Sequence, residues 1–136
     1  MENDKRISLY IVEDYLLTRV TYKKAFQDYQ DINIKGDFET AEACIEALDT
    51  NKADIILMDL GLPYMSGIEA TKIIHRKYPD IKIIILTSND HDDDVLSSLA
   101  SGANAYVLKD TESPTKERVE NARAILECEK YDGWKK

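Results

Sequence analysis

The chain has 136 residues, 43% hydrophobic and 32% charged, a size and balance that suit a single globular domain over residues 1–136 with one proper core and no disordered tract. Its 26 acidic against 18 basic side chains give a formal net charge of -8, which repels polyanions and argues against direct nucleic-acid binding by this chain. No apolar run approaches the roughly 20 residues that span a bilayer, and the polar opening from Met1 to Arg6 does not begin a signal peptide, so a cytoplasmic chain without membrane contact is expected.

The first β-rich run spans Ile7 to Val12 and ends against Glu13-Asp14, with a helix expected from about Tyr15. In the second, Ile32 to Phe38, the looser alternation of Ile32, Ile34 and Phe38 suits a less buried edge strand. Ala41, Cys44, Ile45 and Leu48 then recur at helical spacing, which places Cys44 on an apolar helix face as a buried, reduced thiol. Cys44 and Cys128 are too far apart, and too poor in companions, for a disulfide framework or a zinc site. The third run, Asp54 to Met58, and the fourth, Ile81 to Leu86, are continuously apolar over Ile-Ile-Leu-Met and Ile-Ile-Ile-Leu, as in strands covered on both faces. Val95, Leu96, Leu99 and Ala103 form a stripe expected to lie on the sheet, a fifth run spans Ala105 to Leu108, and Val119, Ala122 and Leu126 mark a last helix. Short connections and the right-handed crossover rule then predict a doubly wound, five-stranded parallel α/β sheet with strand order 2-1-3-4-5 and five helices.

In an open sheet of this kind, ligands bind beyond the carboxyl ends of the strands, near the point where strand order reverses. The residues expected there are Glu13-Asp14, Asp59, Thr87-Ser88 and the segment from Tyr106 to Lys109. Three close carboxylates repel one another unless a cation neutralises them, and hard oxygen ligands select Mg²⁺ or Ca²⁺. An open Mg²⁺ site could receive phosphoryl oxygens beside a carboxylate nucleophile. Lys109 offers those oxygens a compact positive charge and Thr87 a hydroxyl donor, so the set reads as a phosphoryl-transfer centre.

Four blocks, Ile11-Val12-Glu13-Asp14, Leu57 through Gly67 (LMDLGLPYMSG), Leu86-Thr87-Ser88 and Ala105 through Asp110 (AYVLKD), resemble those of response-regulator receiver domains in their order and intervals. The resemblance covers about residues 7–129, and the Asp59 block with Ala103-Asn104-Ala105-Tyr106 is most similar to receivers fused to helix-turn-helix transcription factors. It implies a flavodoxin-like fold and a phosphorylatable switch rather than an enzyme proper, one that still promotes its own Mg²⁺-dependent phosphorylation and dephosphorylation. It also implies that Asp59 is the phosphoacceptor, that Asp14, Asp59 and the Gly61 backbone carbonyl hold Mg²⁺ with Glu13 helping through water, and that Lys109 holds the phosphoryl group. Thr87 and Tyr106 would switch together and change the face made by the fourth helix, fifth strand and fifth helix. The partners implied are a sensor histidine kinase or a histidine phosphotransfer protein, with homodimerisation upon phosphorylation. Lys130 to Lys136 are too few for an output module, so none is expected in this chain.

Plainer readings exist for each residue. Asp14 could cap a helix, Asp59 could be a turn residue before Pro63, Lys109 a solvated lysine and Tyr106 a packing residue, while Pro63 and Gly67 read as structural loop residues. His91-Asp92-Asp93-Asp94 reads as a solvated helix start, with regulation of the neighbouring site by its charge as the alternative, and His75 and His91 are expected at the surface. The alternative function is a phosphorylation-independent pseudo-receiver acting as a docking module; such proteins usually lack one of the acidic pair, the acceptor or the lysine, all present here. A haloacid dehalogenase-like phosphatase would carry Asp-x-Asp after its first strand, which Asp59-Leu60-Gly61 does not match. An FMN carrier would need a phosphate-binding first loop, and Glu13-Asp14 would repel that phosphate.

Overall fold

Among the described residues, the apolar runs and period-3.6 patterns condense into nine alternating elements: β1 (Ile7–Val12), α1 (Leu16–Phe26), β2 (Ile32–Phe38), α2 (Ala41–Leu48), β3 (Ile55–Asp59), α3 (Gly67–Lys77), β4 (Lys82–Thr87), α4 (Asp92–Ala100) and β5 (Ala105–Leu108). The computed structural model describes residues 6–87 and 92–108, the side chains of 87, 92–95 and 108 excepted. The strands form one parallel sheet in the order β2-β1-β3-β4-β5, as expected. Four of the five expected helices fall in the described residues; the helix expected around Val119, Ala122 and Leu126 lies outside them, as does Cys128.

Both faces of the sheet are dry, which is why its inner strands read as apolar runs. Tyr10, Val12, Ile56, Met58, Ile83 and Ile85 cluster with Ala41, Cys44 and Leu48 of α2 and with Ala70 and Ile74 of α3. On the opposite face Leu9, Ile11, Ile55, Leu57, Ile84 and Leu86 join Tyr22 and Phe26 of α1. The edge strand β2 is only partly covered, matching its looser pattern. Cys44 is a free, fully buried thiol, and burial pushes its pKa up to about 12. It is therefore neutral at physiological pH, as a structural thiol should be.

Two local readings change. Asp54 and Ile81 stand just before their strands, and β3 and β4 run one residue further, to Asp59 and Thr87. Asp54 is occupied in a side-chain bridge: its Oδ2 accepts from the Ser8 amide at 2.9 Å, while its own amide donates to the Ser8 carbonyl at 2.9 Å. The stripe proposed for α4 holds only in part: Ala103 is buried against the sheet, and the side chain of Val95 lies outside the described ones. Leu96 and Leu99 are 63% and 41% exposed, whereas Ser98 is fully buried. The turn after α4 sets this orientation: the Ala103 amide donates to the Ser98 carbonyl at 3.0 Å, and Gly102 turns the chain at φ 117°. Among the described residues, no helix is long and apolar enough to cross a membrane.

Candidate functional site

The order of the sheet reverses beside β1, whose neighbours are β2 and β3. The carboxyl ends of β1 and β3 therefore open into one crevice. Glu13 follows the last residue of β1 and Asp59 closes β3. Glu13, Asp14 and Asp59 each bring a carboxylate oxygen to within 4.8 Å of the others. Glu13 and Asp59 are buried, at 1% and 6% exposure, and Asp14 is exposed. Two buried acids and one facing solvent form a cluster open on one side. Such a set of hard oxygens suits a divalent cation that keeps part of its water shell. It also answers their mutual repulsion.

The β1–α1 connection is short and tightly held. The Glu13 amide donates to the Phe38 carbonyl of β2 at 2.9 Å, and Glu13 Oε2 accepts from the Tyr15 amide at 3.1 Å. Tyr15, not Asp14, occupies the N-cap of α1 and makes no side-chain cap bond. Glu13 thus takes the first-turn contact, and the capping role considered for Asp14 does not apply.

On the far side, the loop from Leu60 to Ser66 is shaped by its own sequence. The Ser66 side chain caps α3 by accepting from the Glu69 amide at 3.1 Å. Gly67 lies directly against the strand end: a Cβ there would overlap the Asp59 carbonyl oxygen and stand 3.0 Å from Leu60 Cα. Its role is close approach of two backbone segments, a structural one as expected. The Thr71 hydroxyl donates to the Gly67 carbonyl at 2.7 Å, and Glu42 of α2 accepts from the Met65 amide at 3.2 Å. A Cβ at Gly61 would meet nothing within 4 Å, so the space past Asp59 is open. Tyr64, 89% exposed, adopts φ 64°, a left-handed backbone that costs a non-glycine residue roughly 1–2 kcal/mol.

Thr87 ends β4 opposite Leu108 of β5, and Tyr106 lies opposite Ile85 with 40% exposure. Thr87's side chain and all of Lys109 lie outside the described residues, as do Ser88, Asn89 and His91. His75, as expected, is exposed, near the end of α3. Sequence reasoning passed over Arg19, which is only 9% exposed. Its signal was the spacing Arg19, Tyr22, Phe26, which puts a cation on the buried stripe of α1.

Residues 9–120 match the response regulator receiver domain family. The chain belongs to that family. Among its relatives, the transcriptional regulatory protein DegU of Brevibacillus brevis is 31% identical over 111 residues, 82% of this chain and 47% of DegU. The transcriptional regulatory protein YdfI of Bacillus subtilis is 40% identical over 105 residues, 77% of this chain and 49% of YdfI. The receiver therefore spans about half the length of these relatives. The isolated REC domain of RcsB from Salmonella enterica serovar Typhimurium, solved with the phosphomimetic BeF₃⁻, superposes with a TM-score of 0.78 at 25% identity, covering 90% of this chain and 89% of that one.

Proposed function

We propose that this receiver is the phosphoacceptor of a two-component phosphorelay, taking a phosphoryl group from a phosphohistidine onto Asp59. The observation that carries the reading is the convergence of Glu13, Asp14 and Asp59 within 4.8 Å at the carboxyl end of the sheet. Asp14, Asp59 and the Gly61 carbonyl would hold Mg²⁺, with Glu13 assisting through water. When bound, the ion supplies positive charge to the transferring phosphoryl oxygens. An Asp59 carboxylate oxygen forms the new bond to phosphorus while the bond to the donor imidazole nitrogen breaks, its electron pair leaving with the imidazole. Low exposure at Asp59 limits water at the reacting carboxylate. Open space at Gly61 leaves room for the incoming group.

Lys109 and the Thr87 hydroxyl would bind the remaining phosphoryl oxygens. The dianionic product then favours an arrangement in which Thr87 and Tyr106 move inward and the surface of α4, β5 and the helix expected after them changes. Tyr106 at 40% exposure has that inward move available. The donor would be a sensor histidine kinase or a histidine phosphotransfer protein, the setting cytoplasmic, and phosphorylation would drive self-association. Kinship with DegU and YdfI supports transcriptional control as the output.

The test is intact mass after incubation with acetyl phosphate, with and without Mg²⁺, for wild type and Asp59→Ala. The expected result is a Mg²⁺-dependent phosphoryl adduct, lost on standing and absent in the variant. No adduct from acetyl phosphate or phosphoramidate, in protein that binds Mg²⁺, would overturn the reading in favour of a docking receiver.

A further inference from the structure

Arg19 is the most deeply buried cation described, with its side chain 11% exposed, and nothing in the transfer chemistry above uses it. Its guanidinium reaches from α1 to β2 and to the connections that follow β1 and β2. Nε donates to Asp37 Oδ2 of β2 at 3.1 Å, one terminal nitrogen donates to the Glu13 carbonyl at 2.7 Å, and the other stands 3.9 Å from Glu39 Oε1. Asp37 also pairs with Lys23 Nζ at 3.2 Å, so the acid that anchors Arg19 is itself anchored to α1. The Glu13 carbonyl belongs to the peptide joining Glu13 to Asp14, and fixing its plane leaves only ψ of Glu13 and φ of Asp14 to set the directions in which the two acids leave the chain. With the Phe38 carbonyl on the Glu13 amide and the Tyr15 amide on its carboxylate, the Arg19 bond completes the restraint on this residue.

We infer that Arg19 is a positioning residue: it holds the Glu13-Asp14 peptide in the orientation that binds the divalent cation. The inference rests on the reading of the crevice as a Mg²⁺ site. Charge alone predicts the reverse, because a buried guanidinium beside the crevice repels Mg²⁺ and its removal should tighten binding. A role confined to stability predicts no change in affinity once the variant is folded. Positioning predicts weaker binding. A fork of planar donors is also what three acceptors in different directions require, and a lysine ammonium on its flexible stem does not reproduce it.

The experiment is calorimetric titration of the chain with Mg²⁺ alone, for wild type, Arg19→Met and Arg19→Lys, each checked by circular dichroism and held well below its own Tm. Kd should rise about tenfold in Arg19→Met, the usual cost of losing a group that orients a metal ligand, and by a smaller factor in Arg19→Lys. The lysine variant keeps the charge and decides the matter if the methionine variant does not fold. A wild-type or tighter Kd in folded Arg19→Lys overturns the inference. Absence of Mg²⁺ binding by the wild type overturns the metal-site reading itself, so the two failures are separable.

Discussion

Between β1 and α1 the backbone at the carboxylates is held from outside the loop, by the Phe38 carbonyl and the Arg19 guanidinium, whereas between β3 and α3 the chain mostly holds itself. There the contacts are local: Gly67 against the Asp59 carbonyl, Ser66 on the Glu69 amide, and Thr71 on the Gly67 carbonyl. The first arrangement puts precision in one long side chain, so a substitution should change how well the acids are aimed. The second puts it in backbone contact, so even a methyl group should disturb the strand end. Two contacts from outside remain on this side: the Leu60 amide donates to the Leu86 carbonyl of β4 at 3.1 Å, and Glu42 reaches from α2 to the Met65 amide.

The contrast predicts a ranking. Gly67→Ala should be the most damaging change: the added carbon has backbone on its contact side and no flexible side chain to displace, so urea unfolding should show a loss of about 3 kcal/mol, the upper end for overpacking. The Asp59 amide resonance should shift more than that of Glu13; comparable shifts at both would mean that the two loops respond as one unit. Ser66→Ala should cost about 1 kcal/mol by the same assay. Thr40→Ala is its control, because Thr40 caps α2 in the same way, accepting from the Ala43 amide at 3.1 Å, outside the β3–α3 loop. A distinctly larger loss at Ser66 would show that its cap also carries the loop. Smallest, and opposite in sign, Tyr64→Gly should raise the Tm, relieving the left-handed backbone by up to about 1 kcal/mol after glycine's own entropy cost. A fall in Tm would mean that the ring supports the loop despite its exposure.

Much of this was legible in the chain itself, for identifiable reasons. Strands buried on both faces leave uninterrupted apolar runs, so β3 and β4 could be placed to within a residue, and the ends of β1 and β3 located the acids. The self-held loop was equally readable, since Ser66 and Gly67 act within a few residues of where they sit. Arg19 was not read, because its partners Asp37 and Glu13 reach it through the fold, and charge on an amphipathic helix normally faces water. The inner face of α4 departs from its hydrophobic pattern at Leu96 and Leu99 for a related reason. Hydrophobicity favoured Leu96 and Leu99, but the tight turn into β5 turns the small Ser98 inward.

The proposed divalent-cation site joins Glu13, Asp14 and Asp59, whose carboxylate oxygens lie within 4.8 Å of one another. Titrating the labelled chain with Mg²⁺ and following its backbone amides by NMR tests this most directly. Saturable shifts should be largest at Glu13, Asp14, Asp59 and Gly61, and should be lost in Asp14→Ala. Shifts that do not saturate, or that centre on other acids such as Asp28 and Asp31, would contradict it.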